Sequence, residues 1–150
     1  MKLVTTLQGA EQEIVSEALS TLEHSHVHHY ETAGAAFTRN ALDNLFTLVV
    51  SAIEQRDLSG VIAFAEEIAE QRFTSGFDIS EVQSAFNALE TAMWRRVIAA
   101  EEPADLPEAV GLLSTVFGVG KDELARRYVS LASQKHIPTL DLSALFQGTT

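Results

Sequence analysis

The chain predicts an all-α fold, an antiparallel bundle of five or six helices. Three observations lead there. Apolar residues recur three and four positions apart over most of the 150 residues, and no segment sustains a period of two. Proline is confined to Pro103, Pro107 and Pro138, which leaves long stretches free to be helical. Near the middle, Arg72-Phe73-Thr74-Ser75-Gly76-Phe77-Asp78-Ile79-Ser80 reads as one helix stopping and another starting.

The first helix is expected over 10–31. Glu11 and Glu13 suit its N-terminal end, and Val15, Ala18, Leu19 and Leu22 form its apolar stripe. Thr32-Ala33-Gly34 ends it. The second is expected over 38–55, with Ala41, Leu42, Leu45, Phe46, Val49, Ala52 and Ile53 on its buried face. Asp57 is the expected N-cap of the third, over 58–75, whose stripe runs from Leu58 through Val61, Ala65 and Ile68 to Phe73. Glu66, Glu67 and Glu70 fall largely outside that stripe and read as a solvated face.

Gly76 suits the left-handed position just past a helix end, because it has no Cβ to clash, and Phe77 can fold back onto the helix it leaves. Ser80 and Gln83 have capping-box spacing for a fourth helix over 81–100, with Val82, Ala85, Phe86, Leu89, Met93 and Val97 facing inward. Pro103 closes it. Asp105 and Glu108 make a second box for a fifth helix over 106–134, with Pro107 tolerated in the first turn. Its positions Val110, Leu113, Phe117, Gly120, Leu124, Arg127 and Leu131 alternate steps of three and four, a heptad-like seam. That seam is either a dimer or partner surface, carried by Val110, Leu113, Phe117, Leu124 and Leu131, or an internal contact of the bundle. Gly118 and Gly120 each cost about 1 kcal/mol in a helix interior, so a kink or break is expected between Gly118 and Lys121, with a close helix crossing as the alternative. Leu3 to Leu7 is compatible with an extended segment, and the apolar tail over 137–150 with a docked or short helical end.

Length favours a single domain over 1–150, with its core over about 10–135 and the tail beyond. An apolar fraction of 46% is ordinary for a globular chain. The absence of cysteine excludes disulfides, thiolate metal sites and cysteine nucleophiles. The start, Met1-Lys2-Leu3-Val4, is too short an apolar run for a signal peptide, and no stretch approaches the ~20 apolar residues of a membrane span, so the cytoplasm is the expected location. A net charge of −11 argues against nucleic-acid binding, because such a surface repels phosphate. Arg95-Arg96 and Arg126-Arg127 read as helix cations in water or as a docking patch for an acidic partner.

The histidines are the main chemical candidates. On one continuous helix His26 and His29 would extend the apolar stripe, while His24 and His28, four apart, would point the other way as a weak transition-metal pair. Glu23 and His26 match one Glu-x-x-His pair of a di-iron bundle, but the remaining His136 has Ser133 three residues before it, so that ligand set fails. His26 and His29 on a packing face would make the packing respond to pH. No Gly-x-Ser-x-Gly elbow is present, and Gly118-Val119-Gly120-Lys121-Asp122 lacks the spacing of a phosphate loop. Trp94 and Tyr128 could line a pocket or the core. Arg72 stands at a helix end as a cation for Asp78 or Glu81, or as a fixed charge that locks the corner. The expectation is therefore no enzyme and no cofactor, with a haem-, metal- or small-ligand-binding protein using the residues from His24 to His29 as the alternative.

At Arg72-x-x-x-Gly76-Phe77-x-Ile79-x-x-Val82 the chain resembles the N-terminal helical domain of the RsbR-type (RsbRD-like) co-antagonist family. The likeness extends through His29-Tyr30, Leu45 to Ile53, and Ala85-Phe86-x-x-Leu89-Glu90-x-Ala92-x-Trp94. It implies a non-enzymatic input domain of stress signalling that dimerises, receives a signal and passes it to an output module or a partner protein. It also allows a globin-like packing without haem. No antagonist domain, kinase core or helix-turn-helix reader is recognisable in the 150 residues, so a stand-alone action through association is expected. Arg72, Gly76, Phe77 and Ser80 are the structural residues of the shared motif.

Overall fold

The structure, a computed structural model, describes residues 2–136. The tail expected over 137–150 lies outside the described residues. Among the described residues seven α-helices follow one another: α1 Lys2–Gly9, α2 Glu11–Ser25, α3 His28–Ala33, α4 Ala35–Gln55, α5 Ser59–Thr74, α6 Ile79–Ala100 and α7 Leu106–His136. No strand occurs among the described residues. The all-α bundle is as the periodicity predicts, with more and shorter helices at its N-terminal end.

Residues 3–7 are helical, not extended. Leu3, Val4 and Leu7 are all buried, the one-sided pattern of a helix packed against α4 and α6. Five residues are too few to display a period, which is why the pattern was ambiguous in the sequence. The expected first helix does not run unbroken to 31. His26 takes left-handed geometry (φ 51°) as the C-cap of α2, and Val27 is extended before α3. Neither Gly nor Pro marks this break. The short α3 turns Tyr30 into the core, and Gly34, at φ 97°, is the hinge from which α4 starts three residues earlier than expected.

One apolar cluster draws side chains from all seven helices, with Phe46, Phe117, Leu42, Leu89 and Leu124 among its fully buried members. α7 passes unbroken through Gly118 and Gly120 for 31 residues, so the expected break is not there. The close crossing is. A Cβ on Gly120 would lie 3.2 Å from both Phe86 Cε2 and Val61 Cγ1, so α7 meets α6 and α5 at hydrogen-for-side-chain distance. Although α5 and α6 are consecutive, α5 packs chiefly on α7, and α6 on α2 and α7. The two helices diverge from the corner that joins them, and that corner collects contacts from α3 and α7.

Candidate functional site at the corner between α5 and α6

The local fold of the corner follows its sequence closely. Gly76 sits at φ 86°. Its N–H donates to Phe73 O (3.1 Å), and the Phe77 N–H donates to Arg72 O (2.9 Å). Those two bonds make a Schellman motif. The apolar contact that usually accompanies the motif is here a cation over a ring, with the Arg72 guanidinium 5.4 Å from the Phe77 centroid.

The next helix starts two residues earlier than Ser80 predicts. Asp78 is the N-cap of α6 and forms the capping box with Glu81 at the third helical position. Asp-Ile-Ser-Glu carries the box spacing as well as Ser-Glu-Val-Gln does, and Asp78 is the first acceptor the chain meets after the turn. Ser80 lies in the first turn and donates its hydroxyl to Asp78 Oδ2 (2.6 Å).

Glu81 does more than cap its own helix. Its Oε1 accepts the Asp78 N–H (2.9 Å) and lies 2.7 Å from His29 Nδ1, while its Oε2 accepts the His29 N–H (2.8 Å). That last donor belongs to the first turn of α3 and has no partner within its helix. One carboxylate thus caps two helix starts, its own and that of the distant α3, across the 52 positions between His29 and Glu81. Burial pushes the Glu81 carboxyl up, but the hydrogen bonds from the His29 and Asp78 amides, together with the His29 ring, outweigh it. The group is held below the usual carboxylate range.

Arg72 does not pair with Asp78 or Glu81. It is 6% exposed and packs among aromatic rings, with Phe37 at 4.7 Å, Phe77 at 5.4 Å and Tyr30 at 5.8 Å from its guanidinium carbon. Its Nε–H donates to the Tyr30 hydroxyl at 3.4 Å. A desolvated cation gains roughly 2 kcal/mol over a ring, against several kcal/mol for burying it, so a surround of several rings is what makes this position tenable. Tyr30 stacks edge-on against Phe77 at 4.9 Å, and Tyr128 of α7 donates its hydroxyl to Phe77 O at 3.2 Å. Both tyrosines of the chain therefore converge on the loop. Burial pushes the Tyr30 phenol up, and the Tyr128 phenol up to about 12.

Hollows border the same residues. A cleft of about 220 Å³ lies over Leu19, Leu22, Glu23, Tyr30, Glu31 and Thr38. A small apolar crevice of about 20 Å³ lies beneath Tyr30, Thr38 and Arg72. A surface groove runs past Phe37, Gln71 and Arg72.

The other residues singled out in the sequence are placed as follows. His24 and His28 lie on either side of the helix break, so the i, i+4 metal pair is undone; His24 Nδ1 lies 2.7 Å from Ser20 O. His26 is exposed beside Glu31 (2.9 Å), not on the packing face, while His29 is half-buried on Glu81. Among the described residues no three His, Cys, Asp or Glu side chains gather as a metal site. Leu113, Phe117 and Leu124 are wholly buried within the bundle, which is the internal form of the seam; Val110 and Leu131 are half-buried. Lys121 reaches Glu90 (2.9 Å) and Asn87 (3.1 Å) of α6. Arg95 and Arg96 pair with Glu17 and Glu13 of α2, and Arg127 with Glu70. Trp94 is half-buried.

Sequence reasoning missed Glu81 as the shared cap and Tyr30 and Phe37 as the partners of Arg72. The Asp78-x-x-Glu81 spacing could have revealed the first. The second depends on the break at His26, which carries no signal.

The fold and this corner define a helical module whose charged and aromatic residues hold helices together. The chain matches the family model of the RsbT co-antagonist protein rsbRD N-terminal domain over residues 11–134, and it belongs to that family. No curated protein and no solved structure matches it. No helix among the described residues is long and apolar enough to cross a membrane.

Proposed function

We propose that the chain is a non-enzymatic input domain of stress signalling that acts in the cytoplasm as a homodimer and hands a conformational signal to a signalling protein partner. The observation that carries this reading is the family match, which spans 11–134 and so includes the whole corner. The geometry supports it. α3, α5, α6 and α7 meet at Arg72, Phe77 and Glu81 through a handful of directional contacts, so a shift of the short α3 would be felt by three long helices.

Of the apolar seam residues, Val110 and Leu131 are half-buried while Leu113, Phe117 and Leu124 are at most 1% exposed, and Val129 on the outer side of α7 is 65% exposed. The proposed dimer contact therefore uses the outer side of α7, not Leu113, Phe117 and Leu124. Light scattering on a dilution series tests it. A dimer is expected for the natural chain, and a monomer of unchanged helical content for Val129→Asp. A chain that is monomeric at every concentration overturns the homodimer.

A further inference from the structure

At the end of α6 opposite the corner, Glu101 stands where a lone carboxylate is least welcome. It is the C-cap of the helix, beside the last carbonyls and the negative end of the dipole, and the last turn holds no basic residue. The side chain is only 8% exposed, and its Oε1 is shut off from solvent with no hydrogen-bond partner. Among the described residues no hydrogen bond or ion pair reaches this carboxylate. A buried ion without a partner is costly, so its presence in a folded chain calls for a missing cation.

Glu101 lines a hollow of about 190 Å³ between the start of α1 and the start of α7. The buried lining residues, Leu3, Ala109 and Glu101, make its floor, while Lys2, Asp105 and Glu108 are exposed at its rim. Glu108 is held by Arg56 (3.2 Å), and Lys2 borders the space without pairing to Glu101. These walls select the cation. A hard divalent ion surrounds itself with about six or more oxygens, and among the described residues no three acidic side chains gather for one. An alkylammonium needs less: its three N–H donors suit a carboxylate at a helix C-terminus, and its hydrocarbon suits Leu3 and Ala109. A cavity of about 150 Å³ already holds benzene, so a chain the size of n-butylammonium fits.

We propose that this hollow binds a small primary alkylammonium ion, its charge on the Glu101 carboxylate and its carbon chain against Leu3 and Ala109. Asp105 adds negative potential at the mouth. Occupancy fastens the start of α1 to the turn between α6 and α7. Its use as a signal rests on the input-domain reading above; the binding itself does not.

The test is calorimetric titration and thermal unfolding of the full chain with n-butylammonium chloride, n-butanol or calcium chloride at constant ionic strength. Saturable binding and a raised unfolding temperature are expected for n-butylammonium alone. Glu101→Gln keeps the shape and should weaken binding at least about tenfold, the worth of one hydrogen bond to a charged group. Without ligand that variant should unfold at a higher temperature than the natural chain, because a buried amide costs less than a buried unpaired charge. Lys2→Met removes the rival cation from the rim and should tighten binding. No binding of n-butylammonium, an equal response to butanol or calcium, or unchanged binding in Glu101→Gln overturns the site. So does a Lys2→Met chain that unfolds at a lower temperature and binds no tighter, since Lys2 would then be the partner of Glu101. A monomeric chain that still binds n-butylammonium would overturn the dimer and leave this site standing.

Discussion

The corner between α5 and α6 and the inner face of α7 are both built on helical periodicity, yet they are held by different physics. At the corner, each link is one or two atoms wide and polar: an Asp78–Glu81 box, a shared carboxylate on His29, a guanidinium among rings and a phenol on a carbonyl. On α7, Leu113, Phe117 and Leu124 are buried without polar atoms and gain their stability from exclusion of water and close packing. The difference teaches where such a domain can move. Directional links can break one at a time at a cost of about 1 kcal/mol each, whereas a dry seam yields only when the bundle opens.

The largest effect should come from the seam. Leu124→Asp places an unpaired carboxylate at a position with 0% exposure, and a loss of more than about 4 kcal/mol is expected, enough to leave the chain unfolded by circular dichroism. A folded, monomeric Leu124→Asp protein would mean that the seam faces a partner and that the two regions are not opposites.

Glu81→Gln strikes the corner instead and should cost about 2 kcal/mol, because three contacts to a charged acceptor are replaced by at most a weaker subset. Its signature is pH. The folded carboxyl is held below the unfolded one, so its contribution is fully present above the unfolded pKa near 4.3 and is lost as pH falls through the lower folded value. Urea midpoints measured downward from neutral pH should therefore fall more steeply for the natural chain than for Glu81→Gln. Parallel curves would show that Glu81 is not the clasp of the two helix starts.

How much of this was legible in the sequence differs between the regions for the same reason. Gly76, Phe77 and the residues after them act on their immediate neighbours, so the stop and start at the corner could be read from a nine-residue window. Only the choice between Asp78 and Ser80 as cap went astray, because two overlapping boxes compete within the six residues 78–83. The partners of Arg72 were not legible, since Tyr30 arrives there through a break at His26 that has neither Gly nor Pro. The seam gave its periodicity but not its destination. Steps of three and four predict an apolar face equally for a neighbour in the same chain and for a second copy, and burial of Leu113 and Leu124 is decided only when α5 and α6 are in place.

The smallest effect probes that seam from its glycines. Both Gly118 and Gly120 weaken a helix by about 1 kcal/mol relative to alanine, and the sequence alone treats them alike. The structure separates them. A Cβ at Gly118 meets nothing within 4 Å, so Gly118→Ala should recover most of that amount as a raised urea midpoint. A Cβ at Gly120 comes within 3.2 Å of Phe86 and of Val61, which are buried on two different helices and cannot both retreat into a close-packed core. Gly120→Ala should therefore gain nothing or lose stability, because the strain on two neighbours offsets the propensity gain. Equal stabilisation by the two substitutions would place the crossing of α7 over α5 and α6 further apart than 3.2 Å and reopen the question of why a glycine stands there.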